Sequence, residues 1–442
     1  MRTLDRSFYQ KRIPISAARV HDPRNISKCR KELEHSREIL QLERLSNVQP
    51  DPSERLVKAG GKCVLLRPEY DYWTYRESSP IQCDPDLADA AADDIISAIL
   101  PEDELGEVPS GFNLVGHVAH LNLRDAYLPY KHILGAVILD KNSGVRSVIN
   151  KIDDVGDENA FRTFNYEVIA GEDDMNVEVK EGDCLFRFNY AKVYWNSKLN
   201  TEHERLRSLF KEGEAVCDVM AGIGPFAVPA GKKGVFVWAN DLNPESFAGL
   251  QDAIKRNKVT DFVRPFNCDG HAFIRTATHS LLETEHFVTQ IIGPQKRSRD
   301  PSAPSPQTRT ITQPKVFAHY VMNLPASALS FLPSFIGLYQ PSTRDLLPPE
   351  TPMPMIHVYC FSTKSDDNVR EGQEICKKIS GYLGYAMTPL VVVEGGRQAG
   401  PEHETALAEG EVQIWDVRDV APNKRMFCAS FRLPKEVALR DV

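Results

Sequence analysis

The sequence has no apolar run long enough to span a bilayer, so it predicts no membrane-spanning helix and no membrane partner. It also has no Cys-x-x-Cys pair, and its nine cysteines are odd in number and scattered. That excludes a disulfide framework and a zinc module, and reads as reduced thiols in an intracellular protein. No repeat recurs at solenoid or propeller spacing. Positive charge is not in excess either, since the formal net charge is −8. A protein coated in basic residues is thereby excluded, but a nucleic-acid partner is not, because a local basic groove is enough to hold phosphates. What is present is an ordinary globular composition, 42% hydrophobic and 26% charged. A chain of 442 residues is long enough for two or three domains.

The first thirty residues stand apart, with eight Arg or Lys against Asp5 and Asp22. Residues 1–22 read equally as a mitochondrial presequence or as a basic tail. Residues 23–105 carry a charged helical stretch, a strand-like "KCVLLRP" and an acidic helical segment, which together suit a small α/β domain. Pro101 and "EDELGEVPSG" read as a linker. Residues 110–200 carry the strand-like runs "HILGAVILD", "FNYEVIAG" and "NVEVKEGDCLFRFNYAKVYW", a second mixed domain with antiparallel pairing. From 201 to 442 strands alternate with helices, which predicts a mostly parallel, doubly wound α/β sheet of Rossmann-like type. Two Pro-rich stretches, 293–314 and 339–354, interrupt it and read as surface insertions that pack nothing.

The most informative stretch is "EAVCDVMAGIGP" at 214–225. A short buried strand ends at Asp218, and Gly222, Gly224 and Ala227 fit G-x-G-x-x-G/A, a turn that lets a ligand approach the backbone. In an open parallel sheet the ligand lies beyond the carboxyl ends of the strands. The second strand closes with Asp241, the third with Asp269 and Gly270, the fourth with Asn323, Leu324 and Pro325. An NAD site accounts for Gly222, Gly224 and Asp241 but leaves Asp218 and Asp269 without a role. S-adenosylmethionine (SAM) accounts for more of the set. Asp218 suits its ammonium, Asp241 its ribose diol and Asp269 its adenine amino group. Taken singly, each Asp is also a common helix-capping residue. Asn323 and Pro325 suit the edge of a planar base, and Asn323 equally suits a helix cap.

Several segments in order, "FNYAKVYWNSKLNTEHERL", "DVMAGIGPFAVPA", "ANDLNPES", "NCDG" and "MNLPA", resemble the archaeal/eukaryotic tRNA (guanine(37)-N1)-methyltransferases. So does "HVAHLNLRDAYLPYKHILGAVILDKN" at 117–142, and the pattern is that of a fungal-like eukaryotic member. The resemblance covers roughly 110–442. It implies a C-terminal class I SAM-dependent methyltransferase domain preceded by smaller mixed α/β domains, the first of them, 23–105, binding tRNA.

The implied reaction is methyl transfer to N1 of guanine 37, a base splayed from its stack into a pocket. It needs a base near N1 and a donor for charge developing on O6. By resemblance Glu202 is the general base, Arg162 holds the guanine and steadies O6, and Asn323 positions the base in its turn. Tyr194 contacts base or cofactor. The cofactor positions implied are His203, Asp241, Leu242, Asp269, Gly270 and Asn323. Against these stand plainer readings: Glu202 opens a helix, where an acid is favoured anyway, and Arg162 suits a surface ion pair. His117 and His120 form a pair without the accompanying ligands of a metal site, so no metal is assigned. Arg418, Lys424 and Arg425 lie on a turn between two strands, equally suited to phosphate contacts or to a solvated hairpin. Two rival readings remain, a SAM-dependent aminocarboxypropyl transferase of wybutosine synthesis and a non-catalytic tRNA-binding protein. The expected state is a monomer acting on tRNA with G at position 37, distributed among mitochondrial matrix, nucleus and cytoplasm.

Overall fold

The computed structural model describes residues 13–20, 23–40, 46–51, 53–58, 60–67, 78–83, 111–152, 161, 163–292, 307–347, 351–365, 368–390 and 407–441. They belong to two compact units, one built from 1–113, 118–151 and 167–173, the other from 114–117, 152–166 and 174–442. Among the described residues no helix is long and apolar enough to cross a membrane.

In the first unit, strands β1 (Ile13–Val20), β2 (Val48–Pro50), β3 (Lys62–Leu65) and β4 (Ser78–Cys83) form an antiparallel sheet in the order β2-β3-β1-β4. β1 is paired on both sides, and Ala17, Ala18 and Val20 are buried. Residues 13–20 are therefore an inner strand of this sheet, not part of the basic extension expected over 1–22. The charged helical stretch expected within 23–105 forms a helix from Ile26 to His35, and Arg37 then takes a left-handed φ of 60°. The acidic segment near 84–100 lies outside the described residues.

After β5 (Asn113–Val115), the first unit continues with β6 (Val118–Leu121) and β7 (Ser147–Lys151), paired in parallel. They are joined by a helix, Lys131–Lys141. This helix contains "HILGAVILD", which reads as a strand in the sequence. Ile133, Leu134, Gly135, Val137 and Ile138 are all buried, so an apolar run with no helical period marks a wrapped helix here. A methyl on Gly135 would stand 3.0 Å from Ile169 on β8 (Tyr166–Gly171), tighter than ordinary contact, so a side chain there would push the helix and strand apart by a few tenths of an ångström.

In the second unit, β9 (Asn176–Glu181) and β10 (Cys184–Asn189) make a hairpin in full register. The sequence pattern places the domain break near 201, but this hairpin packs with the sheet that follows, through the side-chain amide of Asn257. Asn257 accepts from the Leu185 N–H at 2.9 Å and donates to its carbonyl at 2.9 Å. The large sheet contains β11 (Ala215–Asp218), β12 (Phe236–Asn240) and β13 (Val263–Phe266). β14 (Phe287–Ile292) and β15 (Gln307–Thr312) form a separate ribbon. β16 (His319–Met322), β17 (Met355–Thr363), β18 (Thr388–Pro389), β19 (Glu411–Ala421) and β20 (Lys424–Arg432) complete the series. The order is β13-β12-β11-β16-β17-β20-β19-β18; the first five are parallel, and β20 runs antiparallel to β17. β11, β12 and β16 are buried at every position, as a parallel sheet covered on both faces requires.

The two expected insertions are not wholly idle. Gln307–Thr312, inside 293–314, is β15 and pairs along its length with β14, while 293–306 lies outside the described residues. Tyr339 and Met353 anchor the second insertion by burying their side chains in the main core. The run "PLVVVE" is described only as far as Leu390.

Candidate active site

The strand order reverses between β11 and β16, and the carboxyl ends of strands at such a reversal are where open α/β sheets bind their ligands. Asp218 pairs with Ala239 on β12 and Val321 on β16, so Asp218, Asp241 and Asn323 stand around one mouth. Asn240 fixes their spacing. Its amide donates to the carbonyls of Val219 (3.1 Å) and Cys268 (3.0 Å), and its oxygen accepts from the Cys268 N–H at 2.9 Å. Asn267 donates to the carbonyls of Asp241 and Leu242 at 2.6 and 3.1 Å.

The glycine loop meets this frame directly. The Gly222 N–H donates to Asp241 Oδ2 at 2.8 Å, and the Asn243 N–H donates to Oδ1 at 2.9 Å. Asn243 then caps the helix Pro244–Arg256, with proline in its first turn. Burial raises the Asp241 carboxyl above its ordinary value, although those two N–H groups act the other way. Asp218 is wholly buried, and among the described residues no side chain donates to its carboxylate oxygens; the backbone N–H of Met220 alone favours its charge, and without a well-formed hydrogen bond. Burial first, and then the charge of Asp241, push its carboxyl well above the usual range.

A buried acid with no side-chain donor, beside a glycine turn, fits a ligand carrying a cationic group. The two glycines differ. Gly222 (φ +56°) has open space where a methyl would stand, whereas a methyl on Gly224 (φ +91°) would meet Leu250 at 2.7 Å and Val228 at 2.8 Å. We expect Gly224→Ala to lower stability by about 1–3 kcal/mol through overpacking and a strained φ. Gly222→Ala should cost about 1 kcal/mol and act mainly by weakening SAM binding. Chemical denaturation and a SAM titration on both variants check this; a Gly224→Ala protein as stable as the parent would contradict it.

Asp269 and Leu242 are less committed to a ligand. Asp269 is exposed and caps the helix Gly270–Glu283 by accepting from the Ala272 N–H at 3.0 Å, the plainer of its two sequence readings. Leu242 is half exposed beside Asp241. Gly270 is buried, and a methyl there would lie 2.8 Å from Phe331.

Glu202 and His203 open the helix Asn200–Leu209, and both are buried. His203 Nδ1 meets Glu181 at 2.5 Å, and its ring packs edge-on against Phe226, 4.6 Å between centroids. Phe226 in turn lies 6.3 Å from the Tyr359 ring, so the end of the glycine loop sits between His203 and Tyr359. Glu202 Oε1 accepts from the Tyr359 hydroxyl at 2.6 Å and from Arg205 Nη2 at 2.7 Å, and Oε2 accepts from Arg205 Nε at 2.7 Å. Arg205 stacks over Trp415 at 4.5 Å. Burial opposes the charge on Arg205, but the carboxylate more than offsets it and holds the guanidinium protonated. On the register, Met322 pairs with Val358, one residue before Asn323 and Tyr359 respectively. The Phe361 N–H donates to the Pro325 carbonyl at 3.2 Å, tying the Asn323 turn to β17.

The structure thus gathers Asp218, Gly222, Gly224, Asp241, Asn323, Pro325, Glu202 and His203 at one end of the sheet. Tyr194 is half exposed, and its hydroxyl accepts from the side-chain amide of Asn196 at 3.5 Å. Arg162 lies outside the described residues. Arg425 is engaged by Asp416 (2.9 Å) and Asp419 (2.7 Å), and Lys424 sits over the Phe361 ring. Internal pairing therefore accounts for much of the charge on that hairpin. His117 Nε2 meets the Asp174 carbonyl at 3.0 Å, and among the described residues no group of three or more His, Cys, Asp or Glu side chains is placed to hold a metal ion. Sequence reasoning missed Arg205, Tyr359 and Asn240. Only Arg205 left a signal, its i,i+3 spacing from Glu202 on a helix.

Comparison with known proteins bears on the whole of this chain. It is 50% identical over 460 residues to a tRNA (guanine(37)-N(1))-methyltransferase of Fusarium vanettenii, covering 99% of this chain and 94% of the relative. The chain belongs to the tRNA (guanine(37)-N1)-methyltransferase family. A family member of the same name from Schizosaccharomyces pombe is 40% identical, with 99% of this chain and 95% of the relative covered. Residues 177–294 match the family model described as the TRM5/TYW2 methyltransferase domain, and 92–174 match the TYW2 N-terminal domain. Among solved structures, the complex of aTrm5 and tRNALeu aligns with a TM-score of 0.56 at 16% identity, covering 95% of this chain and 100% of that one. Trm5b from Pyrococcus abyssi aligns with a TM-score of 0.53 at 20% identity, covering 94% of this chain and 98% of that one. At those identities the likeness shows a shared fold.

Proposed function

We propose that this enzyme transfers a methyl group from SAM to N1 of guanine 37 of tRNA, with Glu202 as general base and with Asn323 and Arg162 positioning the guanine. The observation that carries the reading is near-50% identity, end to end, to relatives named for this activity, in a chain whose Glu202 and Asn323 converge at the mouth of the sheet. Bound SAM supplies an electrophilic methyl on a sulfonium. Asp218, Asp241, Gly222 and Gly224 are the groups that would hold it, and the raised Asp218 carboxyl is suited to a cationic partner. The chain's own part is to seat the guanine edge against Asn323 and Pro325 and to take the N1 proton, which guanine holds at neutral pH. We extend the proposal to a monomer distributed among mitochondrial matrix, nucleus and cytoplasm.

The test uses methyl-labelled SAM and two unmodified tRNA transcripts, one with G and one with A at position 37. Label as N1-methylguanine at position 37 of the first transcript alone supports the proposal. Transfer of label only when the amino-acid moiety of SAM carries the isotope would assign the aminocarboxypropyl reaction instead. Binding of tRNA and SAM with neither transfer would leave a non-catalytic tRNA-binding protein.

A further inference from the structure

Glu202 is an unusual general base in being held so firmly. A carboxylate offers about four lone-pair sites, and three donors reach this one. Oε1 accepts twice, from Tyr359 at 2.6 Å and from Arg205 Nη2 at 2.7 Å, while Oε2 accepts once, from Arg205 Nε at 2.7 Å. One site, on Oε2, is left. The donors come from different places: Arg205 stands one turn along the same helix, and Tyr359 lies on β17, 157 residues away in sequence. Both are themselves constrained. Arg205 is clamped against Trp415, and Tyr359 is wholly buried among the strands, across from Cys428 on β20. Among the described residues, the titratable groups facing this cluster are Arg205, Tyr359, Cys428 and, acting on Arg205, the buried His357.

We propose that Tyr359 and Arg205 are positioning residues for the methyl transfer, orienting Glu202 so that the remaining lone pair of Oε2 receives the guanine N1 proton. This rests on Glu202 being the base. The proton passes from N1 to Oε2, and the electron pair left on N1 forms the bond to the methyl carbon. The carbon–sulfur bonding pair stays with the sulfur. Two consequences separate positioning from plain structural support. A hydrogen bond to a carboxylate favours its ionised form, so deleting the Tyr359 donor makes the base protonate at higher pH. The orientation, by contrast, survives in part wherever one donor remains on each side.

The experiment is single-turnover methyl transfer on full-length enzyme, with SAM and a G37 transcript saturating, across the acid limb of the pH–rate profile. Tyr359→Phe, Arg205→Lys and Glu202→Gln are compared with the parent, with SAM affinity and thermal unfolding as folding controls. For Tyr359→Phe we expect the acid limb to move up by about 0.5–1 pH unit, with the high-pH plateau within about threefold of the parent. Arg205→Lys keeps the cation but loses the two-pronged contact, and should shift the same limb and also lower the plateau. If Tyr359→Phe does not fold, the Arg205→Lys limb decides the question alone. A collapse of rate in Glu202→Gln with unmoved limbs in both other variants overturns the positioning role while leaving the base in place. A Glu202→Gln enzyme as fast as the parent overturns the base itself, and the positioning role with it.

Discussion

Replacing Glu202 with Gln should lower single-turnover methyl transfer to guanine 37 by about 10²–10⁴-fold, the range set by removing a positioned general base. SAM binding should stay within about threefold of the parent, because the Glu202 carboxylate meets Arg205 and Tyr359 rather than the glycine loop. The substitution carries a structural cost that has to be separated from the chemical one. Glu202 and Arg205 form a buried pair, with side chains only 5% and 12% exposed, and neutralising one partner leaves a buried cation less well compensated. We therefore expect a lower melting temperature, and the rate has to be read well below it. Glu202→Asp controls for this, since it keeps the charge while shortening the reach to the guanine. Rates of Glu202→Gln within tenfold of the parent, on folded protein, would remove Glu202 from the role of base. The pair with Arg205 would then be its whole function, the reading that a helix-opening acid invites by itself.

SAM affinity should rise with pH, by as much as tenfold per unit, over the range in which Asp218 is protonated in the free enzyme. The Asp218 carboxyl is held well above its ordinary value by burial and then by Asp241. A ligand ammonium beside it favours the ionised form and lowers its pKa in the complex. The complex then holds fewer protons than the free enzyme, so binding releases a proton and tightens as pH rises. The same shift works the other way on the ligand-free fold. Its stabilising share is full below the ordinary aspartate pKa and is lost as pH rises through the folded value. Asp218→Asn should weaken SAM binding by about 10–100-fold, the scale of a lost charged hydrogen bond, and flatten the slope with pH. Titrations at several pH values, with the proton released followed in buffers of different ionisation heat, measure both. An Asn variant with the parent's affinity and slope would make Asp218 a buried structural acid with no part in holding the ligand.

Much of the second unit could be read along the chain because of how a parallel sheet is built. Strands covered on both faces are apolar throughout, so "AVCDVM", "VFVWAND" and "MIHVYCFS" announce β11, β12 and β17. The glycine loop was legible for a similar reason, since Gly222 and Gly224 hold positive φ values that few other residues tolerate. "HILGAVILD" shows the limit of that kind of reading. An apolar run carries no period when every face is buried, so helix and strand look alike until packing chooses. The N-terminal boundary failed differently. Arg19 looks like one more charge in a basic tail, but its guanidinium meets Asp51 at 2.5 Å, and β1 lies inside a sheet.

The residues at the strand ends, the turn that joins them and the family they belong to were determined by the sequence alone, because each depends on neighbours a few positions apart. Asp218 was visible as a strand-closing acid, but its lack of any side-chain donor among the described residues was not, since an unmet hydrogen bond is a property of everything packed around it. Only the tertiary structure decided that Glu202 is shared between Arg205 and Tyr359. The first partner is three residues along a helix; the second is 157 residues away, on the strand beside the one that ends at Asn323. The reversal of strand order between β11 and β16 brings those elements to one mouth, and a contact made across such a reversal has no spacing in the chain to betray it.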